Sequence, residues 1–334
     1  MSVWKLRFSM VATLVAIFGL TTLVFSAILL YVGYFSILTV GCLIVGLNLV
    51  QWLFAPYFVG SIYRVKELKE SDNPKLHQMV TELSIKSKIK KPQLMLAQIP
   101  LPNAFAYGSP LTGNRVAVTQ GLLNKLNEGE VEAVLGHELG HLKHRDVQVM
   151  MVVSFLPALL YFIGYSMMLS GFFGGNRRSG GNAGGYNAVL GIAFMVFSWV
   201  LTLFTLHLSR LREYYADRHS ATIVANGAEK LSMGLVTIVE ESRHVGKPNN
   251  TQTKTNATCR ALFITDPGHV ASDAEELNNA MGCNKKDRLN ETLARQPTSG
   301  ERVVEIFSTH PNIIKRLRAL QELYNPQPAS NNAY

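Results

Sequence analysis

Long stretches without one charged side chain alternate along this sequence with segments of ordinary polarity. The first runs from Phe8 to Tyr63. A membrane-crossing helix needs about 20 apolar residues. The tract is therefore long enough for two, broken near Gly33-Tyr34-Phe35-Ser36 into helices over 8–32 and 36–58. Its apolar core is too long for a cleaved signal peptide, and no small-x-small cleavage site follows. Val147–Asn176 and Ser179–Ser209 are also charge-free and read as a third and a fourth span. Between them lie Arg177-Arg178 and a Gly/Asn-rich loop from Gly174 to Gly185. Pro157 interrupts the third, and buried helices of a large core would look similar.

The intervening segments carry other periods. Arg64 to Glu70 reads as a charged helical exit from the apolar tract. Asn73-Pro74 starts a helix to about Ser87, with Leu76, Met79, Val80 and Leu83 on one side. The period then changes to that of strands: Gln93–Ala97, Asn103–Gly108 and Arg115–Thr119, with a turn over Ser109–Asn114. A helix from Gly121 ends near Asn127. Another over Glu130–Asp146 places Val131, Val134, Leu135 and Leu142 at helical intervals. Residues 245–300 are polar and Asn/Thr-rich, and fit an inserted lid or a surface loop. The expected fold is α+β, predominantly α, with membrane helices and a small antiparallel sheet. Its expected divisions are 1–59, 60–146, 147–208 and 209–334.

Composition agrees with a membrane protein. Hydrophobic residues make up 48% and charged residues 16% of 334, and the mean hydropathy is positive. The net charge of +9 is scattered or flanks apolar runs, and no nucleic-acid-binding motif accompanies it, so a nucleic-acid partner is not expected. Lys5 and Arg7, then Arg64, Lys66 and Lys69, then Lys143 and Arg145, then Arg210, Arg212 and Arg218 lie on one side of the four expected spans. By the positive-inside rule that side is the cytoplasm, with Arg177 and Arg178 dissenting. Cys42, Cys259 and Cys283 form no disulfide framework.

The chemistry concentrates in Gly136-His137-Glu138-Leu139-Gly140-His141. Positions four apart share a helix face, so His137 and His141 can offer two imidazole nitrogens to one ion. Glu138 lies beside them as a base for a water. Two imidazoles and an adjacent carboxylate suit a zinc hydrolase. The plainer alternative is a polar helix face with solvated histidines. After the last apolar tract comes Ser209-Arg210-Leu211-Arg212-Glu213-Tyr214-Tyr215-Ala216-Asp217. If the helix continues, Glu213 and Asp217 sit one turn apart. Glu213 then completes a His, His, Glu set, and Asp217 accepts the free N–H of a liganding histidine. The alternative is local pairing of Glu213 with Arg210 and Arg212. A transporter or metal carrier would place polar, ion-passing groups inside the spans, and these tracts contain no Asp, Glu, Lys or Arg. A catalytically silent scaffold is the other rival.

The pattern His137-Glu138-Leu139-Gly140-His141 with Glu213-Tyr214-Tyr215-Ala216-Asp217 resembles the HtpX-type membrane zinc metalloproteases, relatives of the CAAX-prenyl endopeptidases and Oma-type proteases. Asn103–Gly108, Ser308-Thr309-His310-Pro311 and Arg316 extend the match, so it covers most of the chain. The resemblance implies a multi-pass endopeptidase of the cell membrane with a cytoplasmic gluzincin domain. It carries over one Zn2+ held by His137, His141 and Glu213, with Glu138 as base, acting on membrane or misfolded proteins. It also implies that Asn103, Ala104, Phe105, Ala106 and Tyr107 hold the protein or peptide substrate as an extended strand. His310 and Arg316 would lie near the zinc, stabilising the oxyanion, though His310 before Pro311 also reads as a helix start. A prenyl-protein endopeptidase is the narrower alternative. It would need a chamber enclosed by more spans than four.

Overall fold

The structure is a computed structural model that describes residues 37–173, 183–245, 285–296 and 299–324. The expected first span, 8–32, lies outside them, as do Cys259, Cys283, most of the Gly-rich loop and residues 246–284 of the polar stretch. The chain divides into two compact units, one of residues 1–52 and 148–206, the other of 53–147 and 207–334.

Three long apolar helices are described: α1 (Ile37–Ile62), α5 (Asp146–Phe173) and α6 (Ala183–Ile223). By length and composition α5 and α6 can each cross a membrane. Pro157 does not end α5, which continues past it as one helix. In the first unit the hydroxyl of Ser198 on α6 donates to the Pro157 carbonyl of α5 (2.7 Å). A hydroxyl in apolar surroundings thus finds a backbone acceptor. α6 does not stop where its charge-free part ends at Ser209, but runs on through Glu213 and Asp217.

The second unit is built on a four-stranded sheet: β1 (Val65–Glu67), β2 (Gln93–Ala97), β3 (Ala104–Ser109) and β4 (Gly113–Thr119), in the order β1-β2-β4-β3. The sheet is mixed, not antiparallel as expected. β3 and β4 form an antiparallel hairpin, but β4 returns between β3 and β2, so β2 and β4 run parallel, with Leu94 opposite Val116 and Leu96 opposite Val118. The inner position suits β4, whose Val116, Ala117 and Val118 are fully buried. Gly113, at φ 69°, supplies the left-handed residue that closes the hairpin. The charged segment after Tyr63 is likewise not helical. Val65–Glu67 pairs with Met95–Ala97, because edge hydrogen bonds to β2 outweigh its helical charge spacing.

The helices of this unit are α2 (Pro74–Ser87), α3 (Gln120–Lys125), α4 (Glu128–Lys143), α7 (Gly227–Val245), α8 (Lys285–Ala294), α9 (Ser299–Ile306) and α10 (Ile313–Tyr324), of which α3 and α4 pack on the sheet. Asn73 caps α2, its side chain accepting from Leu76 N (3.0 Å), with Pro74 in the first turn. α4 starts with a reciprocal capping box between Asn127 and Glu130. It is the central helix, packed by α2, α7 and β3. Val134, Leu135 and Leu139 are fully buried, each contributing about 1.5–3 kcal/mol.

Candidate metal centre

Because α4 turns once every 3.6 residues, His137 and His141 project from one face. Their rings meet edge to face with centroids 4.8 Å apart, and their Nε2 atoms are 3.2 Å apart. α6 brings Glu213 against both: Oε2 lies 3.6 Å from His137 Nε2 and Oε1 3.6 Å from His141 Nε2. Among the described residues this trio keeps its donor atoms within 4.8 Å of one another. Tetrahedral zinc bonds of about 2.0–2.1 Å would place donors roughly 3.4 Å apart. The two 3.6 Å approaches are made by different oxygens of Glu213, so the trio can converge on one metal ion once a single oxygen is aimed at it.

Two glycines permit the approach. A Cβ at Gly140 would lie 3.0 Å from Ala216 Cα, and one at Gly136 3.0 Å from Ser220 Oγ. A side chain at either position would crowd α6, against backbone at Gly140 and against the Ser220 side chain at Gly136. Ser220 closes the contact by donating to the Ala133 carbonyl (2.6 Å).

Each histidine is held from behind. His137 Nδ1 lies 2.9 Å from Asp217 Oδ1, at an angle short of a full hydrogen bond. His141 Nδ1 is 2.6 Å from Asp146 Oδ2, and Asp146 Oδ1 is 3.0 Å from Arg212 Nε. Asp217 takes two hydrogen bonds from Arg316, whose Nη1 is also 3.3 Å from Glu213 Oε2.

The centre is a cluster of buried charges. Glu138, Asp146, Glu213 and Asp217 are all buried, Asp146 against the guanidinium of Arg212, and Glu213 and Asp217 against that of Arg316. Buried Glu213 Oε2 lacks an aligned hydrogen-bond donor, and Arg316 Nη1 at 3.3 Å and His310 Nδ1 at 3.4 Å compensate its charge. Burial opposes ionisation of Glu213, but His310, Arg316 and His141 hold its pKa well below the ordinary range. Burial likewise opposes the charge on Arg316, which Asp217 and Glu213 overcome, raising its pKa. In His141 the hydrogen bond to Asp146 and the charges of Glu213 and Glu138 outweigh burial and raise the pKa to about 9.

The other expected residues fall around this centre. Glu138 is buried on α4, and its charge acts on His141. β3 is an edge strand packed on α4. Ala104 and Ala106 share the core of Val134 and Leu135, while Phe105 and Tyr107 pack with Tyr63 in a second cluster. Asn103 just precedes β3, bonded in both directions to Thr119. His310 does not cap a helix. Asn312 does so, accepting from Ile314 N (2.9 Å), while His310 Nδ1 sits 3.4 Å from Glu213 Oε2. Arg316, expected at an oxyanion, has Nε and Nη2 on Asp217 and Nη1 beside Glu213. Its geometry is that of a carboxylate clamp.

Sequence reasoning missed Asp146 and Arg212. The available signal was Asp146 as the first acid after the motif, past Arg145 in a left-handed turn (φ 53°) that folds it back on His141. His144 and His219 stand apart from the ligand atoms. His144 packs its ring on Tyr215 and His219, and His219 Nε2 pairs with Ser87 Oγ (2.9 Å).

Comparison with known proteins places these features in context. Residues 70–324 match the sequence profile of "Peptidase family M48". A "Protease HtpX homolog" of Thermoplasma acidophilum is 34% identical over 329 residues, covering 96% of this chain and 97% of the relative. One from Aeropyrum pernix is 40% identical over 281 residues, 82% of each chain. Among solved structures, "Crystal Structure of S. mikatae Ste24p" aligns with 95% of this chain and 66% of its own at a TM-score of 0.54. At 17% identity that likeness is one of fold.

Proposed function

We propose that this chain, which belongs to peptidase family M48 and is a membrane-associated metalloprotease, is a zinc-dependent endopeptidase of membrane or misfolded proteins. The single observation that carries the zinc reading is the convergence of His137, His141 and Glu213, whose donor atoms, one from each residue, lie within 4.8 Å of one another. Zinc, when bound, supplies a Lewis acid and lowers the pKa of a water towards about 7. Glu138 takes the proton of the attacking water and returns it to the leaving amine. Asp217 and Asp146 hold the Nδ1 sides of His137 and His141, so that Nε2 of each is the ligating atom. Arg316 keeps Asp217 and Glu213 ionised and aimed. His310, whose Nδ1 lies 3.4 Å from Glu213 Oε2, is the donor for the developing oxyanion.

The substrate lies along β3 from Asn103 to Tyr107. As an edge strand, β3 offers main-chain hydrogen bonds to any sequence in extended form. The fixed charges flanking the apolar tracts support a multi-pass chain of the cell membrane with the metal centre on the cytoplasmic side. A metal carrier fits less well: no Asp, Glu, Lys or Arg occurs in Val147–Phe173 or Ala183–Ser209.

Detergent-purified protein incubated with casein tests the reading. Digestion should stop on chelation and return on adding zinc. Undiminished digestion under chelator would reject the metal requirement. Faster cleavage of a farnesylated C-terminal peptide than of its unmodified form would favour the prenyl-protein alternative.

A further inference from the structure

The hairpin that ends in Ser109-Pro110-Leu111-Thr112-Gly113 joins the edge strand β3 to β4, and at its tip Leu111 is 58% exposed. A lone exposed leucine means little; here its position gives it meaning. The Ser109 hydroxyl donates to the Leu53 carbonyl of α1 (3.0 Å). The tip is thereby fixed to α1 well before that helix ends at Ile62. This part of α1 belongs to the uncharged tract, and Phe54, Tyr57, Phe58 and Ile62 are exposed on it. Tyrosine, here Tyr57, is enriched where a helix passes through the bilayer interface, and the exposed Phe54, Phe58 and Ile62 give the same surface an apolar character.

The hairpin shares that chemistry. No Asp, Glu, Lys or Arg occurs between Lys91 and Arg115, although the segment lies outside the long apolar helices. The turn also satisfies its own polar groups: Ser109 N donates to Thr112 Oγ1 and Thr112 N to the Ser109 carbonyl, both at 3.2 Å. A tip whose backbone is bonded internally enters an interface at lower cost.

We propose that Pro110 and Leu111 sit in the headgroup–acyl boundary of a lipid bilayer, continuous with the exposed aromatic surface of α1. The inference rests on the membrane-associated reading above and deepens it. A bilayer that covers Phe54, Tyr57 and Phe58 also reaches residue 111, because Ser109 is tied to Leu53. A peptide added to β3 then has one end of its extended segment at the membrane surface. The favoured substrates are polypeptides with a stretch next to a bilayer, such as the flank of a membrane-spanning segment.

The test uses full-length protein with Cys42, Cys259 and Cys283 replaced by Ser, in vesicles of phosphatidylcholine and phosphatidylglycerol. A nitroxide is attached at Leu111→Cys, with Phe58→Cys and Lys86→Cys as bilayer and water references. The ratio of collisions with oxygen to those with a water-soluble nickel chelate should be several-fold higher at 111 than at 86. A ratio at 111 equal to that at 86, with 58 reading as bilayer, overturns the hairpin contact alone. If 58 also reads as water, the membrane reading of α1 falls and takes the proposal with it. Casein digestion in detergent, which needs no bilayer, reports separately on the protease. Leu111→Glu should keep that digestion while losing several-fold in cleavage of a bilayer-tethered substrate in vesicles. Equal cleavage of the tethered substrate by Leu111→Glu and the parent would remove the inferred substrate preference.

Discussion

Arg316 reaches across 99 positions of chain to hold Asp217 with two hydrogen bonds, from Nε at 2.9 Å and from Nη2 at 2.6 Å. Both residues are almost fully buried, and Asp217 is itself the neighbour of His137. Removing the guanidinium strands two buried carboxylates. Arg316→Leu should therefore destabilise the protein by about 3–5 kcal/mol. Thermal unfolding in detergent measures this, and an unchanged Tm would mean that the clamp contributes nothing.

Base and ligand should separate cleanly. Glu138→Gln is expected to retain stoichiometric zinc while losing about 10²–10⁴-fold in casein hydrolysis. Glu213→Ala should lose the metal itself. Elemental analysis beside the rate decides, and zinc-replete Glu213→Ala would remove Glu213 from the ligand set.

Asp146 should matter through His141. Its carboxylate, 2.6 Å from Nδ1, fixes which ring nitrogen carries the proton. Asp146→Ala is expected to weaken zinc binding by about 10–100-fold, read by competition with a chromogenic chelator. Parental affinity in that variant would show that the ring needs no such partner.

The raised pKa of His141 makes a pH prediction. From an ordinary 6.5 it moves to about 9 in the metal-free site, so folding favours the protonated ring there. That stabilising contribution is complete below pH 6.5 and is lost as pH rises through about 9. A metal needs the neutral ring. Zinc affinity should therefore climb across this window, with proton release on binding. Chelator competition between pH 6.5 and 9 that gave one constant affinity would contradict the assignment.

A β-branched side chain at Gly140 should be poorly tolerated. A Cβ there meets the Ala216 backbone at 3.0 Å, and backbone cannot rotate aside. Gly140→Val is expected to cost about 1–3 kcal/mol or more by forcing the helices apart. Metal content should fall with it as Glu213 retreats. Parental zinc content and Tm together would refute this account of helix spacing.

The cluster of His137, His141 and Glu213 was legible in the sequence because helical period alone pairs His137 with His141 and Glu213 with Asp217. The continuation of α6 past Ser209 then makes the second pair real. What escaped was set by tertiary contacts. Asp146 acts only because a left-handed Arg145 turns the chain back. Val65–Glu67 becomes a strand only because β2 leaves an edge for it. The parallel pairing of β2 and β4 depends on where a hairpin inserts, which no local pattern encodes. Arg316 was recognised as near the site, but its partners were not, since a sequence motif does not say which way a guanidinium faces.

The compact unit bearing the metal centre is made of two pieces of chain, residues 53–147 and 207–334. During synthesis the histidines emerge long before Glu213, and Glu213 long before Arg316. A nascent chain holding only the first piece has the base and two imidazoles but no third ligand and no clamp. On the zinc reading, cleavage therefore waits for the second piece of chain to close the site around the first.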